Sequence, residues 1–330
     1  MVSSANRYLI CANRFLSILP IPFGGVMLSF ACLGLLVSCF FSGYTGCPGV
    51  GMVLHIICGC AAALIWILFI AKCIFCFPQV KTALKDPAAA SVSGTFCMST
   101  MMLAVYLKEI AGDSAVILWW AGIFLHAALI VLFSVRFLHP FKIQNVYPSW
   151  LVVYVGILVA SITSPYFSQE VSGQVIFWFG VVCCIVLTPV LLLRQFKYPL
   201  PDGLKPLVCI FAAPVSILAA SYVQAFDADF RAAGILLAVE SVILIIILAA
   251  LPKLLRLSFS PAHAAFTFPF HVTASAFLFG IGVLIVNGFP PEFIWIAAAG
   301  ILAVSAVLVC VTARFVMMMG KEMKGCSNVV

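Results

Sequence analysis

The sequence predicts an all-helical integral membrane protein of ten transmembrane helices, and three observations carry that prediction. Of 330 residues, 65% are apolar and only 8% charged, with a mean hydropathy of +1.24. A soluble globule cannot hide that much apolar surface. Apolar runs recur along the whole chain at about twenty residues, the length that a hydrocarbon core of roughly 30 Å demands. The breaks between the runs alternate in character, basic then acidic. No composition shift, charge block or Gly/Ser linker marks off a soluble domain, so residues 1–330 read as one transmembrane domain with short tails. Disordered, collagen-like, coiled-coil and nucleic-acid-binding classes are all disfavoured.

The first run, Leu19 to Phe41, follows Arg7 and Arg14 and has no convincing small-residue cleavage site, so it reads as an uncleaved signal anchor. The second, Pro48 to Cys73, ends at Lys72, and the third, Ala88 to Leu107, starts after Lys81, Lys85 and Pro87. The fourth, Ser114 to Ser134, stops before Arg136; the fifth, Trp150 to Tyr166, follows Lys142 and Pro148. The sixth, Val171 to Leu193, ends at Arg194 and Lys197, and the seventh, Pro206 to Val223, begins beside Lys205. The eighth, Ala232 to Leu251, lies between Arg231 and Lys253. The ninth, Ala262 to Val286, follows Arg256 and Pro261, and the tenth, Phe293 to Ala313, runs into Arg314, Lys321 and Lys324.

Fifteen of the 17 basic residues fall in breaks on one side or in the termini, and only Lys108 and Arg231 fall on the other. The positive-inside rule therefore predicts cytoplasmic termini and an even number of spans. Glu109, Asp113, Glu170, Asp227, Asp229 and Glu292 lie on the outer side, Asp86, Asp202 and Glu322 on the inner side, and Glu240 within a span. Such a field would gather anions at the inner mouth, although the same asymmetry is also an ordinary topology signal. Of 14 cysteines only Cys47 falls in an outer break, so no extracellular disulfide set can be built. The Cys73–Cys76 CxxC reads as an accidental pair of membrane cysteines rather than a redox or metal site.

Each odd-numbered run is introduced by a proline, Pro22, Pro87, Pro148, Pro206 and Pro261, at intervals of 65, 61, 58 and 55 residues. Proline costs little at a helix start, where its missing N–H would be unpaired. Five at one period suggest a repeated helical hairpin. Further breakers follow inside the odd runs: Gly94, Gly156, Pro214 and Pro269. A break inside lipid is tolerated where neighbours or a cavity satisfy the freed backbone. The odd helices are therefore expected inside and the even ones outside, leaving a central channel lined by bent helices. Small residues on the odd runs also suit close helix packing.

Four stretches go further: Pro20-Ile-Pro22-Phe-Gly24-Gly25, Tyr147-Pro148-Ser149-Trp150 with Val155-Gly156-Ile157, Lys205-Pro206 with Ala213-Pro214 and Tyr222, and Ala265-Phe266-Thr267-Phe268-Pro269-Phe270. Together they resemble the tellurite-resistance/dicarboxylate transporter family, which includes the plant guard-cell slow anion channel. The resemblance touches four of the five repeats. It implies ten helices as five hairpins in a quasi-fivefold arrangement around a central pore, a homotrimer with one pore per subunit, and a phenylalanine gate at Phe268. His271 departs from the family pattern, three residues after the gate, where relatives often carry a small or hydroxyl residue.

Aligned on the residue before each breaker, Ser93, Val155, Ala213 and Phe268 are expected at one level, a lone ring among smaller side chains. Such a ring would seal a narrow pore by steric block and dewetting. Gly24, Gly25, Gly94, Thr95, Gly156, Ala213, Pro214, Pro269 and His271 are the expected pore-lining or hinge residues, with the hydroxyls of Thr95, Ser164 and Ser216 as candidate anion contacts. No Lys or Arg lies deep in a run, which suits weak binding. Glu240, the one intramembrane carboxylate, is a candidate for proton coupling or for an interhelical hydrogen bond; His55 and His126 read as structural. The expected function is passage of small inorganic anions or organic mono- and dicarboxylates across a plasma membrane, or a bacterial inner membrane. A proton-coupled C4-dicarboxylate or tellurite-linked exporter using Glu240 or His271 is the alternative. No metal or other cofactor is expected. Nor is an enzyme, since no HExxH, phosphate loop or Ser/His/Asp set is found.

Overall fold

Each of these apolar runs is helical in a computed structural model, which describes residues 12–139 and 141–327 and side chains as far as residue 324. Eight helical stretches are long and apolar enough to cross a membrane, and no strand occurs among the described residues. One stretch, Pro87–Phe137, holds two of the predicted spans joined by a turn at Gly112, whose φ of +60° favours glycine. The predicted fifth span is too fragmented to be among the eight.

The helices are α1 (Gly24–Phe40), α2 (Pro48–Phe75), α3 (Phe77–Ala83), α4 (Pro87–Val92), α5 (Gly94–Ala111), α6 (Val116–Phe137) and α7 (Trp150–Tyr154). They continue as α8 (Val159–Thr163), α9 (Glu170–Lys197), α10 (Ala213–Ala225), α11 (Phe230–Leu255), α12 (Phe268–Val286) and α13 (Ile294–Ser327). Each helix of an odd run touches the next: α1 meets α5, α5 meets α8, α8 meets α10, α10 meets α12, and α12 returns to α1. The ring closes within one chain. Even-numbered runs pack on its outside, α2 on α1, α6 on α5, α9 on α8, α11 on α10 and α13 on α12. Burial follows the same division, at 78% for the first run and 61% for the seventh and ninth, against 17% for α9 and α11. The greasy outer faces are what lipid requires, since lipid tails solvate Leu and Ile as well as protein does.

All five odd runs are broken. A 3-10 turn at Ile21–Phe23 leads into α1, and Ser93 separates α4 from α5. Another turn, Gly156–Leu158, separates α7 from α8. Longer 3-10 stretches, Asp202–Ala212 and Pro261–Phe266, lead into α10 and α12, the latter through Thr267 at φ −99° and ψ −88°. The break at Gly24 adds a fifth to the four marked by Gly94, Gly156, Pro214 and Pro269. Pro206 lies inside its 3-10 stretch rather than at its start, because 3-10 backbone begins four residues earlier, at Asp202.

Carbonyls released by a break inside lipid need other donors. At the fifth run, His126 Nε2 on α6 donates to the Val153 carbonyl at 2.8 Å and Ser221 Oγ on α10 donates to the Leu158 carbonyl at 3.2 Å. At the ninth, Thr267 Oγ1 donates to Ala264 at 2.6 Å, while the backbone N–H and the ring Nδ1 of His271 both donate to the Thr267 carbonyl. Neighbouring side chains thus hold these breaks in place.

Candidate transport pathway inside the ring of odd helices

Three cavities succeed one another between the odd runs. The first lies among their starting halves and is lined from all five runs, by Gly25, Thr95, Gly156, Ala213 and Phe268 among others. The second, smaller one is again lined from all five, by Cys32, Met102, Ile162, Gln224 and Val272 among others. The third is a wide vestibule at the far ends of the first, fifth, seventh and ninth runs, bounded by Tyr44, Tyr166, Gln224 and Asn287. No charged side chain lines any of the three.

Phe268 bounds the first cavity and Val272, one turn later on α12, bounds the second. On α5 the same step runs from Met98 to Met102. Four residues of helix rise about 6 Å, so the two cavities are separated by roughly one helical turn of packed side chains. Phe268 is the first residue of α12, 6% exposed, set directly after the kink at Thr267. The bonds that Thr267 and His271 make across the break thus hold the backbone from which its ring projects.

Seven of the sequence-derived residues line the first cavity: Gly25, Thr95, Gly156, Ala213, Pro214, Phe268 and Pro269. Val155 and Ala213 share that cavity with Phe268, but Ser93 does not. The helix ends at Ser93, and the residue that turns inward is Thr95 on the next turn; Ser93 and Gly24 line a side pocket that also holds Thr95. Gly94 faces a neighbour instead, where an added Cβ would stand 3.1 Å from the Val152 carbonyl. Only Thr95 of the three candidate hydroxyls reaches the pathway. Its hydrogen is donated to Val92 at 2.8 Å, leaving lone pairs that do not attract an anion. Ser164 is bonded to Ser161, and Ser216 to Ala212 and Thr273.

His271 is fully buried, lines none of the three cavities, and braces the kink. Glu240 is also fully buried and away from the cavities. Its Oε1 lies 3.1 Å from Thr273 Oγ1, which lies 3.0 Å from the Pro269 carbonyl and 2.8 Å from Ser216 Oγ. Its Oε2 has no partner among the described residues. One carboxyl and two hydroxyls therefore link the lipid-side helix α11 through α12 to α10. The residues that the sequence reading missed are Tyr166 and Gln224, which lie at the far ends of their runs, where a polar side chain is ordinary in a membrane protein.

His55 stacks on Tyr106 at 4.2 Å with Nε2 2.9 Å from Glu109, and Lys72 donates to the carbonyls of Leu16 and Ser17 at 2.7 and 3.0 Å. Cys73 and Cys76 are free thiols, one exposed and one buried. Among the described residues no three His, Cys, Asp or Glu side chains gather as a metal site.

A comparison with curated proteins gives no significant match. Residues 19–318, nearly the whole chain and all of the odd runs, match the model of the SLAC1 family, the voltage-dependent anion channels, and the chain belongs to that family.

Proposed function

We propose that this protein carries small anions through the centre of its ring of odd helices, with Phe268 as the gate. The observation that carries the reading is the succession of three cavities between the odd runs, interrupted where Phe268 and Val272 pack. Membership of an anion-channel family supports an anionic cargo, which we read as inorganic anions or organic mono- and dicarboxylates. The uncharged lining supports weak, transient binding, which conduction requires. In this reading the chain forms ten helices as five hairpins in quasi-fivefold order, with both termini on the cytoplasmic side of a plasma or bacterial inner membrane, and associates as a homotrimer with one pore per subunit. The 15-to-2 division of basic residues supports the orientation.

Anion flux into liposomes holding the purified protein tests the gate. Phe268→Ala is expected to pass chloride, nitrate or malate at least tenfold faster than the wild type. Equal rates would sink the gate assignment. A proton-coupled dicarboxylate or tellurite-linked exporter is the second reading, favoured by the unpaired buried Oε2 of Glu240. It requires uptake that stops when the proton gradient is collapsed, which a channel does not.

A further inference from the structure

We propose that Gln224, with Lys108 behind it, forms an anion-binding site at the throat that it shares with Tyr166 between the second cavity and the vestibule. The site deepens the function proposed above and rests on it. Only Tyr166, Gln224 and Phe279 line both spaces, so anything passing from one to the other passes these three side chains.

Counting hydrogens shows which of the polar groups there can hold an anion. Thr163 Oγ1 donates to Val159 at 2.8 Å and accepts from Trp119 Nε1 at 2.8 Å; Ser275 Oγ donates to His271 at 3.0 Å. Each hydroxyl has one hydrogen, and both are spent on the backbone. Asn287 Nδ2 in the vestibule spends one of its two hydrogens on Val283 at 2.8 Å, and Asn287 lines only the vestibule, not the throat. No hydrogen bond engages the Gln224 amide among the described residues, so both of its N–H groups are unspent on a side chain that lines the throat. The Tyr166 phenol O–H is engaged on the Cys39 thiol and lies within the field of the Glu109 carboxylate, which leaves Gln224 as the open donor at the throat. No Asp or Glu lines either space.

A positive charge is fixed behind this donor. Lys108 Nζ donates to the Tyr166 carbonyl and sits 5.6 Å from the Phe167 ring centre. Its counter-ion, Asp113, lies 3.6 Å away and is fully exposed, so water screens that pair while the ammonium stays one-third exposed at the protein. Lys108 is one of only two basic residues on its side of the sequence-derived topology. An open amide with a cation held on the carbonyl of the neighbouring Tyr166 gives a shallow well for a small monovalent anion such as chloride, nitrate or a carboxylate group. A directly coordinating buried cation would instead trap the ion.

The first cavity has no matching site, since its one hydroxyl, Thr95, is already committed. The well is therefore one-sided and lies on the vestibule side of Phe268. It should be reachable with the gate shut.

The test has two parts. In the Phe268→Ala background, nitrate and chloride currents are measured against anion concentration raised on one side at a time. Gln224→Leu should raise the half-saturating concentration from the vestibule side at least fivefold and bring the nitrate-to-chloride permeability ratio toward one, with saturation from the other side unchanged. Gln224→Glu, nearly isosteric, should suppress anion current more strongly than Gln224→Leu, and Lys108→Met should give a smaller rise that fades at high ionic strength. Unchanged saturation and selectivity in Gln224→Leu would overturn the site while leaving the pathway standing. Independently of current, wild-type protein crystallised with bromide should show the halide within hydrogen-bond reach of the Gln224 amide. A parent variant without any anion current would sink the pathway reading, and in that event an empty throat at saturating bromide would overturn the site as well.

Discussion

Pro189 and Pro252 sit inside α9 and α11 without ending either helix, whereas Pro214 and Pro269 stand where 3-10 backbone turns into α-helix. Both pairs remove one backbone donor each, so the residue type does not explain the difference. The surroundings do. The fifth and ninth runs are ringed by side chains that meet released carbonyls, such as His126 on Val153, Ser221 on Leu158 and His271 on Thr267. The outer helices face lipid, which offers no donor, and there an unbroken helix is the only arrangement that pairs its own backbone. A break at mid-depth is thus a property of the inner ring as a whole.

The sharpest way to break this contrast is to compare phenylalanines from the two regions. Phe268→Ala should raise anion flux at least tenfold, while Phe124→Ala on α6, where the ring is 67% exposed, should leave flux unchanged. Parallel gains in both would mean that the inner ring does not hold the pathway. His126→Phe keeps an aromatic ring but leaves the Val153 carbonyl without its donor, a loss of about 1–3 kcal/mol for a buried group. Thermal unfolding in nanodiscs should register that loss.

Glycines offer a finer comparison. Gly94→Ala would press a methyl against the Val152 carbonyl and is expected to destabilise by about 1–2 kcal/mol, because a backbone neighbour cannot swing aside. Gly234→Ala on α11 meets nothing nearer than 3.8 Å and should gain about 0.5–1 kcal/mol of helix propensity. A ranking reversed in the melting temperatures would show that lipid-side and ring-side glycines are not distinguished by packing. The smallest effect is expected for Glu240→Gln, which keeps the shape and one acceptor for Thr273. Stability within about 0.5 kcal/mol of wild type and unchanged flux at fixed pH are expected if the side chain serves as a hydrogen-bonded acid. A variant that folds but loses gradient-driven uptake would instead favour proton coupling.

The spans were legible because a bilayer imposes their length, and four of the breaks because Gly94, Gly156, Pro214 and Pro269 are residue types that stop helices. The break in the first run was not. Pro22 reads as the run's leading proline, and Gly24-Gly25 follows it by only two or three residues instead of seven or eight. The 3-10 stretch Asp202–Ala212 also escaped, since 3-10 and α-helix draw on the same apolar residues. Among 29 phenylalanines, Phe268 could be singled out only by its motif. Ser93, aligned at one level with Phe268, lines a side pocket instead, because a repeat alignment fixes depth but not the rotation of a helix beyond its break. Tyr166 and Gln224 carried no signal at all; what marks them is a shared position between two cavities and an amide without a partner.

One feature of the fold bears on heredity. The ring from α1 through α12 closes inside a single polypeptide, so one chain walls the cavities that the ring encloses. Cells making a mixture of intact and disabled chains should therefore carry anion current in simple proportion to the intact fraction. A damaged allele would lower the current by its own share without poisoning the intact copies, and an always-open one would add to it in the same way.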